Sequence, residues 1–267
     1  MKPLTDWRLI GLETYDASTN MAIDEAVLRA RIAGKVPNTL RFYRWRPSAV
    51  SIGRFQSVAN EVDLNACRKH GVDVVRRITG GGAVYHDSED EITYSVVVAR
   101  DDLGEVDVTG AYKKICSGLV NALELLGVKA DFSPGDTRNC PNVAVNGRKI
   151  SGSSQSFKGG MVLQHGTVLL RVNLEKMFTF LRVPWAKTCM EIVNVAEKKI
   201  TSVKDELGMD VLVEQAYKAL VKGFKDALGM RLTEDVLTQE ELETTEKLRK
   251  EKYANQDWTI LGTSVMM

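Results

Sequence analysis

The sequence predicts an α+β (mixed α/β) fold in which helices flank a mixed β-sheet. Segments of period-2 or continuous apolar character alternate with segments of helical periodicity. Glycines that can end helices, and an Asn-Gly turn, separate several of these segments. Neither an internal repeat nor a Pro/Ser-rich linker divides the chain. We therefore expect a single domain over residues 1–267.

Net charge and the distribution of apolar residues argue against nucleic-acid and membrane partners. The 267 residues include 36 Lys and Arg against 35 Asp and Glu, a formal net charge of +1. This balance argues against a nucleic-acid partner, which needs a basic surplus or stripe. No apolar run approaches the ~20 residues of a membrane helix, and the start lacks the apolar stretch of a signal peptide. We expect a cytoplasmic protein with neither a nucleic-acid nor a membrane partner.

Helix and strand signals alternate in the first half of the chain. Apolar residues at helical spacing predict a helix over 20–33, and Gly34 can adopt the left-handed conformation that ends it. Period-2 alternation predicts a strand over 40–45. Further strands are predicted over 49–53, 72–77 and 92–99.

The second half begins with an amphipathic helix over 112–126, ended by a glycine. Asn146-Gly147 suits a type I′ turn and predicts a hairpin over 143–150. The apolar run 161–172 predicts a long central strand covered on both faces. Short amphipathic helices are predicted over 174–182 and 211–228. Thr238 and Glu241 form a capping box before a densely charged helix that we expect on the surface.

The strongest chemical signal is segment 76–87, which reads RRITGGGAVYHD. Three consecutive glycines after a strand allow close backbone approach, and their N–H groups can surround an anion. The arginine pair supplies planar forks suited to phosphate or carboxylate. Neither the P-loop nor the dinucleotide pattern fits, because Ala83-Val84 and Tyr85 occupy their key positions. A plain glycine-rich turn with solvated arginines is the alternative, which the flanking Arg-Arg and His-Asp disfavour.

A lysine in the predicted hairpin is a second candidate. The turn would pair Val145 with Arg148, Ala144 with Lys149, and Val143 with Ile150. Lys149 would then project beside a small residue and could reach a phosphate or acyl oxygen. The hairpin alone favours an exposed edge-strand lysine instead.

His165 lies in the apolar strand, where a histidine is more often a hydrogen-bonded core residue than a catalyst. Gly166 beside it suggests that something approaches the backbone closely.

Taken together, these motifs resemble those of the lipoate–protein ligase family. The likeness rests on three segments in the same order, at 76–87, 147–153 and 165–170, and is supported by 21–25 and 52–56. It covers most of residues 8–262. The resemblance implies the catalytic (N-terminal) domain shared by lipoate ligases, biotin ligases and octanoyltransferases. The absence of a Gly-Arg-Gly-Arg loop disfavours a biotin ligase.

The resemblance implies ATP-dependent activation of lipoate to lipoyl-AMP, then transfer to a lysine of an acceptor domain. That acceptor would be an E2 domain or a glycine-cleavage H protein. Lys149 would be catalytic, neutralising charge between the acyl oxygen and the α-phosphate. The implied ATP-binding residues are Arg77, Gly82, Ala83, Val84, Tyr85 and Lys149. The implied lipoate-binding residues are Arg77, Gly80, Gly81, Lys149, Ser153 and His165.

Two departures from the family pattern concern the metal and a partner. Asn142 stands where many members have an aspartate, so it is a weak candidate ligand for the Mg²⁺ that would accompany ATP. The chain also resembles the archaeal short form, in which the accessory domain is a separate polypeptide rather than a fused one. The apolar segment 258–261 could dock such a partner or pack on its own domain, and with such a partner the chain alone would adenylate poorly.

Two other functions remain open. A cysteine-based octanoyltransferase of the same fold would use a thioester on Cys140 or Cys189, without ATP. Both cysteines can also be ordinary small residues. A non-catalytic lipoyl-binding subunit is the second alternative, and intact Lys149 and Arg77 argue against it.

Overall fold

The computed structural model describes residues 5–104, 106–136, 140–183, 186 and 188–262. Its strands are β1 (Thr5–Tyr15), β2 (Asn38–Trp45), β3 (Ala49–Ile52), β4 (Asp73–Arg76), β5 (Val84–His86), β6 (Glu91–Ala99), β7 (Asp131–Ser133), β8 (Asn142–Val145), β9 (Arg148–Lys158), β10 (Met161–Leu169) and β11 (Met230–Asp235). Its α-helices are α1 (Ala17–Ile32), α2 (Val58–Glu61), α3 (Leu64–His70), α4 (Val108–Leu125), α5 (Leu174–Phe180), α6 (Cys189–Ala196), α7 (Val203–Leu207), α8 (Val213–Leu228) and α9 (Gln239–Leu248). Within these ranges, no helix combines the length and apolar character needed to cross a bilayer.

The strands form two sheets. The larger has eight strands in the order β11-β1-β2-β6-β10-β9-β8-β7, and β1 is parallel to both of its neighbours. Its other neighbouring pairs are antiparallel. The predicted mixed sheet with flanking helices is therefore confirmed. A second sheet, β4-β3-β5, was not predicted. It lies beside the larger sheet and carries the arginine–glycine motif.

The centre of the larger sheet is covered on both faces, as predicted for its long strand β10. Val96 and Val98 of β6 pack in the core shared with α4 and α8, whereas Val97 packs in a cluster with residues of α1. On β10, Leu163 belongs to the α1 face, and strand alternation places His165 on the same face. The α1 face of β10 therefore carries the histidine of interest.

Two helices begin earlier than predicted because aspartates cap them. Asp16 accepts a hydrogen bond from the N–H of Thr19 at 2.8 Å, so α1 begins at Ala17 rather than at residue 20. Asp107 caps α4 in the same way by accepting from Gly110 N at 2.7 Å. The first turns of these helices are polar, so a prediction from apolar periodicity alone misses them.

Helices α4 and α8 pack closely through glycines. A Cβ on Gly223 would lie 2.5 Å from the backbone N of Ala122 and 2.6 Å from the carbonyl O of Gly118. Backbone atoms cannot move aside cheaply. We expect Gly223→Ala to lower the free energy of unfolding by about 1–3 kcal/mol through overpacking, despite the helix-propensity gain of alanine. Urea unfolding measures the effect, and Gly11→Ala, where the nearest atom is Tyr217 Oη at 3.5 Å, should change it little.

The charged helix α9 is not simply a solvated surface helix. Its Glu241 is buried and forms an ion pair with buried Arg8. The Nε of Arg8 in turn donates to Thr39 Oγ1 at 2.8 Å. The predicted capping box is confirmed, and the same Glu241 carboxylate completes it. One residue thus serves both the helix start and the attachment of α9 to β1.

The C-terminal apolar segment is divided between core and surface. Trp258 is only 3% exposed, and its Nε1 donates to the carbonyl of Arg76 at 2.8 Å. Ile260 and Leu261 remain exposed. The segment therefore packs on its own domain through Trp258.

Candidate active site

The hairpin that carries the candidate lysine forms largely as predicted. Asn146 and Gly147 have φ values of 49° and 78°, as a type I′ turn requires. Val145 faces Arg148, and Ala144 faces Lys149. The predicted pairing of Val143 with Ile150 is wrong, because a bulge next to Ala144 places Val143 opposite Ser151.

Lys149 projects into a space that a glycine keeps open. A Cβ on Gly152 would lie 2.5 Å from Lys149 Nζ and 2.6 Å from its Cε. The amine has no hydrogen-bond or ion-pair partner among the described residues. Lys149 is an exposed residue that lines a cavity, yet surrounding protein desolvates the ammonium and lowers the pKa of Lys149. Arg77 lowers this pKa further, whereas Cys140 acts to raise it, so both lie within electrostatic range.

Arg77 does not present its fork to the cavity as a free anion site. It is 4% exposed. Its Nη2 donates to the carbonyls of Gly80 and Gly82, both at 2.7 Å. Its Nη1 donates to the carbonyl and hydroxyl of Ser51, and its Nε donates to Ser154 Oγ at 3.2 Å. All five guanidinium donors therefore have acceptors within the protein. Desolvation lowers the pKa of Arg77 to about 10.

The hydrogen bonds from Arg77 to Gly80 and Gly82 fix the orientation of the glycine loop. A peptide carbonyl and the N–H of the same unit point in opposite directions. Because the carbonyls of Gly80 and Gly82 point to Arg77, the N–H groups of Gly81 and Ala83 point away from it. These two N–H groups have no hydrogen-bond acceptor in the described part of the chain. The loop thus carries two available donors.

Arg76, the other arginine of the motif, is also committed to backbone carbonyls. Its Nη1 donates to the carbonyls of Gly53, Arg54 and Gln56. Its Nε and Nη2 donate to carbonyls of the segment 258–260. The arginine pair was predicted to supply forks for phosphate or carboxylate, but the structure uses both forks to hold the fold.

A buried chain of hydrogen bonds connects His165 to Arg77. His165 Nδ1 lies 2.8 Å from Asp24 Oδ2, and its Nε2 lies 2.7 Å from Thr79 Oγ1. Thr79 contacts Ser154 Oγ at 2.8 Å, and Ser154 accepts from Arg77. Burial lowers the pKa of His165, so the neutral ring donates to the carboxylate and accepts from the threonine. His165 is a hydrogen-bonded core residue that also borders the cavity.

A second relay reaches Arg77 from the other side. His86 Nδ1 lies 2.7 Å from Glu91 Oε1, and its Nε2 lies 2.8 Å from Ser51 Oγ. Ser51 accepts from Arg77, and the His86 ring stacks on Trp45 at 4.0 Å. The sequence analysis gave no role to Ser51, Glu91, Asp24 or Ser154. Asp24 does lie within segment 21–25, which supports the family resemblance.

The cavity enclosed by these elements has a volume of about 100 Å³. It lies between the α1 face of the larger sheet and the three-stranded sheet. Its lining includes most of the predicted site residues, namely Arg77, Gly81, Gly82, Ala83, Val84, Lys149, Ser153 and His165. Two predicted residues do not line it. Tyr85 points to the other face of β5 and stacks on Phe180, and Gly80 presents its carbonyl to Arg77.

Asn142, the weak Mg²⁺ candidate, uses its amide locally. Its Nδ2 donates to the carbonyl of Cys140 at 3.3 Å. Within the described ranges no cluster of three or more His, Cys, Asp and Glu side chains could hold a metal ion. The residues at this position therefore give the predicted Mg²⁺ no support.

The two candidate cysteines differ in position. Cys140 lines the cavity, and its Sγ lies 3.7 Å from where a Cβ on Gly81 would stand. Cys189 begins α6, lies outside the cavity lining, and its Sγ lies 3.9 Å from the carbonyl O of Glu175. The remaining two, Cys67 and Cys116, are buried, and desolvation raises the pKa of each to about 11. Only Cys140, among the four, shares the cavity with Lys149 and the glycine loop.

Comparison with known proteins decides the family. The sequence model of the lipoyl protein ligase A/B catalytic domain matches residues 16–225. The chain belongs to this family. The lipoate–protein ligase resemblance is thus confirmed at the level of the family, and the protein is an enzyme of the lipoate ligase and transferase group.

Solved structures agree on the fold. A bi-partite lipoate protein ligase from Thermoplasma acidophilum superposes with a TM-score of 0.85 at 30% identity, covering 98% of this chain and 99% of that one. A lipoate-protein ligase A bound with ATP gives 0.82 at 30% identity, covering 96% and 98%. The fold class is therefore confirmed.

Curated relatives overturn the predicted activity. An octanoyltransferase LipM from Kyrpidia tusciae is 40% identical over 270 residues, covering 94% of this chain and 97% of the relative. Another from Symbiobacterium thermophilum is 38% identical over 273 residues, covering 96% and 98%. The prediction of an ATP-dependent lipoate–protein ligase is contradicted by these names, and the ATP-binding roles depended on that prediction. In addition, the arginines expected to hold phosphate bind groups of the protein itself.

Proposed function

We propose that this enzyme is an octanoyltransferase that works through a thioester on Cys140. It takes an octanoyl group from the thiol of an acyl carrier protein and delivers it to a lysine of a lipoyl-acceptor domain, either E2 or H protein. One observation carries the proposal. Cys140, Lys149 and the glycine-loop residues Gly81, Gly82 and Ala83 line one cavity.

In the first step Lys149 acts as the base. Its lowered pKa increases the fraction of neutral amine, which accepts the proton of the Cys140 thiol. The thiolate attacks the octanoyl carbonyl and forms a new C–S bond. The bond to the carrier's sulfur breaks, and the Lys149 ammonium returns the proton to that sulfur. The products are octanoyl-Cys140 and the free carrier thiol.

Negative charge develops on the acyl oxygen during this attack, and the N–H groups of Gly81 and Ala83 stabilise it. Arg77 is a positioning residue here, because it holds the carbonyls of Gly80 and Gly82 and so aims the two donors. Preorganised donors of this kind are worth about 10²–10³-fold in rate each. The two histidine relays hold Arg77 itself in place.

In the second step the acceptor's neutral lysine amine attacks octanoyl-Cys140. An amide C–N bond forms, the C–S bond breaks, and Lys149 moves the amine's proton to the Cys140 sulfur. The thiol is regenerated and no nucleotide is consumed. Ser153 and His165, predicted to contact the acyl group, border the same cavity together with apolar Met21 and Val84.

Both steps use groups of this chain, so the proposal needs no separate accessory polypeptide, although the archaeal ligase of similar structure is bi-partite. We propose that the chain acts as a single catalytic domain. The earlier prediction of poor adenylation without a partner applied to the ligase activity and is withdrawn with it.

The direct test mixes the purified chain with octanoyl-carrier protein and an apo acceptor domain, with no ATP present. We expect octanoylated acceptor by intact-protein mass spectrometry, at a rate that ATP does not change. A parallel reaction supplies free octanoate or lipoate with ATP and measures pyrophosphate. Transfer only with ATP, accompanied by pyrophosphate release, would contradict the proposal.

A further inference from the structure

A second concave site lies next to the catalytic cavity. Its volume is about 260 Å³. Four cationic side chains line it with a single carboxylate, that of Glu25; the cations are Arg29, Arg54, Lys158 and Lys252. We call it the cationic groove. It carries a net charge of +3 on a chain whose formal net charge is +1.

Cation–π contacts and ion pairs build the wall of the groove. Trp258 forms part of its wall, and both Lys252 Nζ and the Arg54 guanidinium lie over its ring, at 4.1 and 4.4 Å from the centroid. Glu25 pairs with Lys252 and with Arg29, both at 2.6 Å. Burial lowers the pKa of Lys252, and repulsion from Arg29 and Lys158 adds to the effect while Glu25 opposes it. Glu25 thus pairs with two of the four cations, and Arg54 and Lys158 have no carboxylate partner among the described residues.

Two segments join the groove to the cavity. Along β9, Gly152 and Ser154 line the cavity, whereas Ser156 and Lys158 line the groove. These four alternate residues share one face of the strand. Beyond β4, Arg77 belongs to the cavity and the next residue, Ile78, to the groove. A ligand bound in the groove would therefore lie along the strand that leads to Lys149.

We propose that the cationic groove binds the acyl donor, specifically the phosphodiester and adjoining acidic surface of a phosphopantetheine-bearing carrier protein. This rests on the proposed function. The donor's octanoyl thioester must reach Cys140, and its pantetheine arm carries a phosphodiester anion at the protein end. A lysine acceptor has no such anion. The Phe55 ring is 91% exposed, and the Arg54 guanidinium carbon lies 5.9 Å from its centroid, so the ring offers the carrier an apolar contact next to Arg54.

Lys158 is the cation to test, because it is exposed and has no ion-pair partner among the described residues. We expect Lys158→Glu to raise KM for octanoyl-carrier protein ~10-fold, with kcat nearly unchanged and with an effect that weakens at high salt. Acylation of Cys140 is measured in single-turnover reactions that are quenched at set times and analysed by mass spectrometry. The matched control is Lys218→Glu, an exposed lysine of α8 outside both sites.

The small donor octanoyl-pantetheine, which lacks the phosphate, separates this proposal from the proposed function. Lys158→Glu should acylate normally from it, and octanoyl-Cys140 should pass to the acceptor at the usual rate. Equal loss with both donors, loss confined to the acceptor step, or no loss with the carrier would each overturn the assignment of the groove. If the unaltered chain is acylated by neither donor, the proposed function itself fails.

Discussion

Cys140→Ala is expected to abolish octanoyl transfer, with a loss of at least ~10³-fold, because no other group described in the cavity can carry the acyl chain as a thioester. The variant should still fold, since Cys140 is exposed and lies outside the hydrophobic clusters of the described residues. Transfer is measured with octanoyl-carrier protein and the apo acceptor, and the melting temperature confirms folding.

Cys189→Ala provides the matched control, since it removes an exposed thiol that lies outside the cavity lining. It should transfer octanoyl at the rate of the unaltered chain. If Cys189→Ala is inactive while Cys140→Ala retains transfer, the nucleophile has been assigned to the wrong cysteine.

Lys149→Arg is expected to slow acylation of Cys140 by about 10²–10⁴-fold, the range for removing a general base. Arginine keeps the positive charge but stays protonated at any working pH, so it cannot accept the thiol proton. Lys149→Gln should be comparably slow. The rate is measured as the first turnover, so that the acceptor step does not obscure it.

The pH dependence of that first turnover gives a second readout. Desolvation by the surrounding protein lowers the pKa of Lys149, so the neutral, reactive amine accumulates at lower pH than for an ordinary lysine. The rate of the unaltered chain should fall as pH drops through this pKa, and Lys149→Arg should lose that limb of the profile. A limb that persists in Lys149→Arg would show that another group supplies the base.

Much of the fold could be predicted because its signals are local. The type I′ turn at Asn146-Gly147 and the helix-ending glycines follow from backbone freedom that few residues have. Boundaries were less accurate where a capping aspartate lay beyond the apolar pattern, as with Asp16. The bulge places Val143 opposite Ser151, next to a bridge between Lys149 and Ile200, which lies far along the chain. The three-stranded sheet likewise pairs strands that are separated in sequence.

The site could be located but not fully interpreted. Sequence shows that Arg76 and Arg77 precede a glycine loop, but not whether their donors face a ligand or the protein's own carbonyls. Gly166 is a related case. It was expected to admit a close approach, and the approaching atoms are the carbonyl of Gly152 and the ring of Tyr94. Likewise, the choice between Cys140 and Cys189 depends on the tertiary path of the loop before β8.

The central claim is that the octanoyl group resides on Cys140 between donor and acceptor. The most direct measurement incubates the unaltered chain with octanoyl-carrier protein, without acceptor or ATP, and maps the modified peptide by mass spectrometry. We predict one octanoyl group per chain, on the peptide containing Cys140, that hydroxylamine releases and that an added acceptor lysine consumes. An unmodified enzyme that nevertheless octanoylates the acceptor, or an octanoyl group on another residue, would contradict the account.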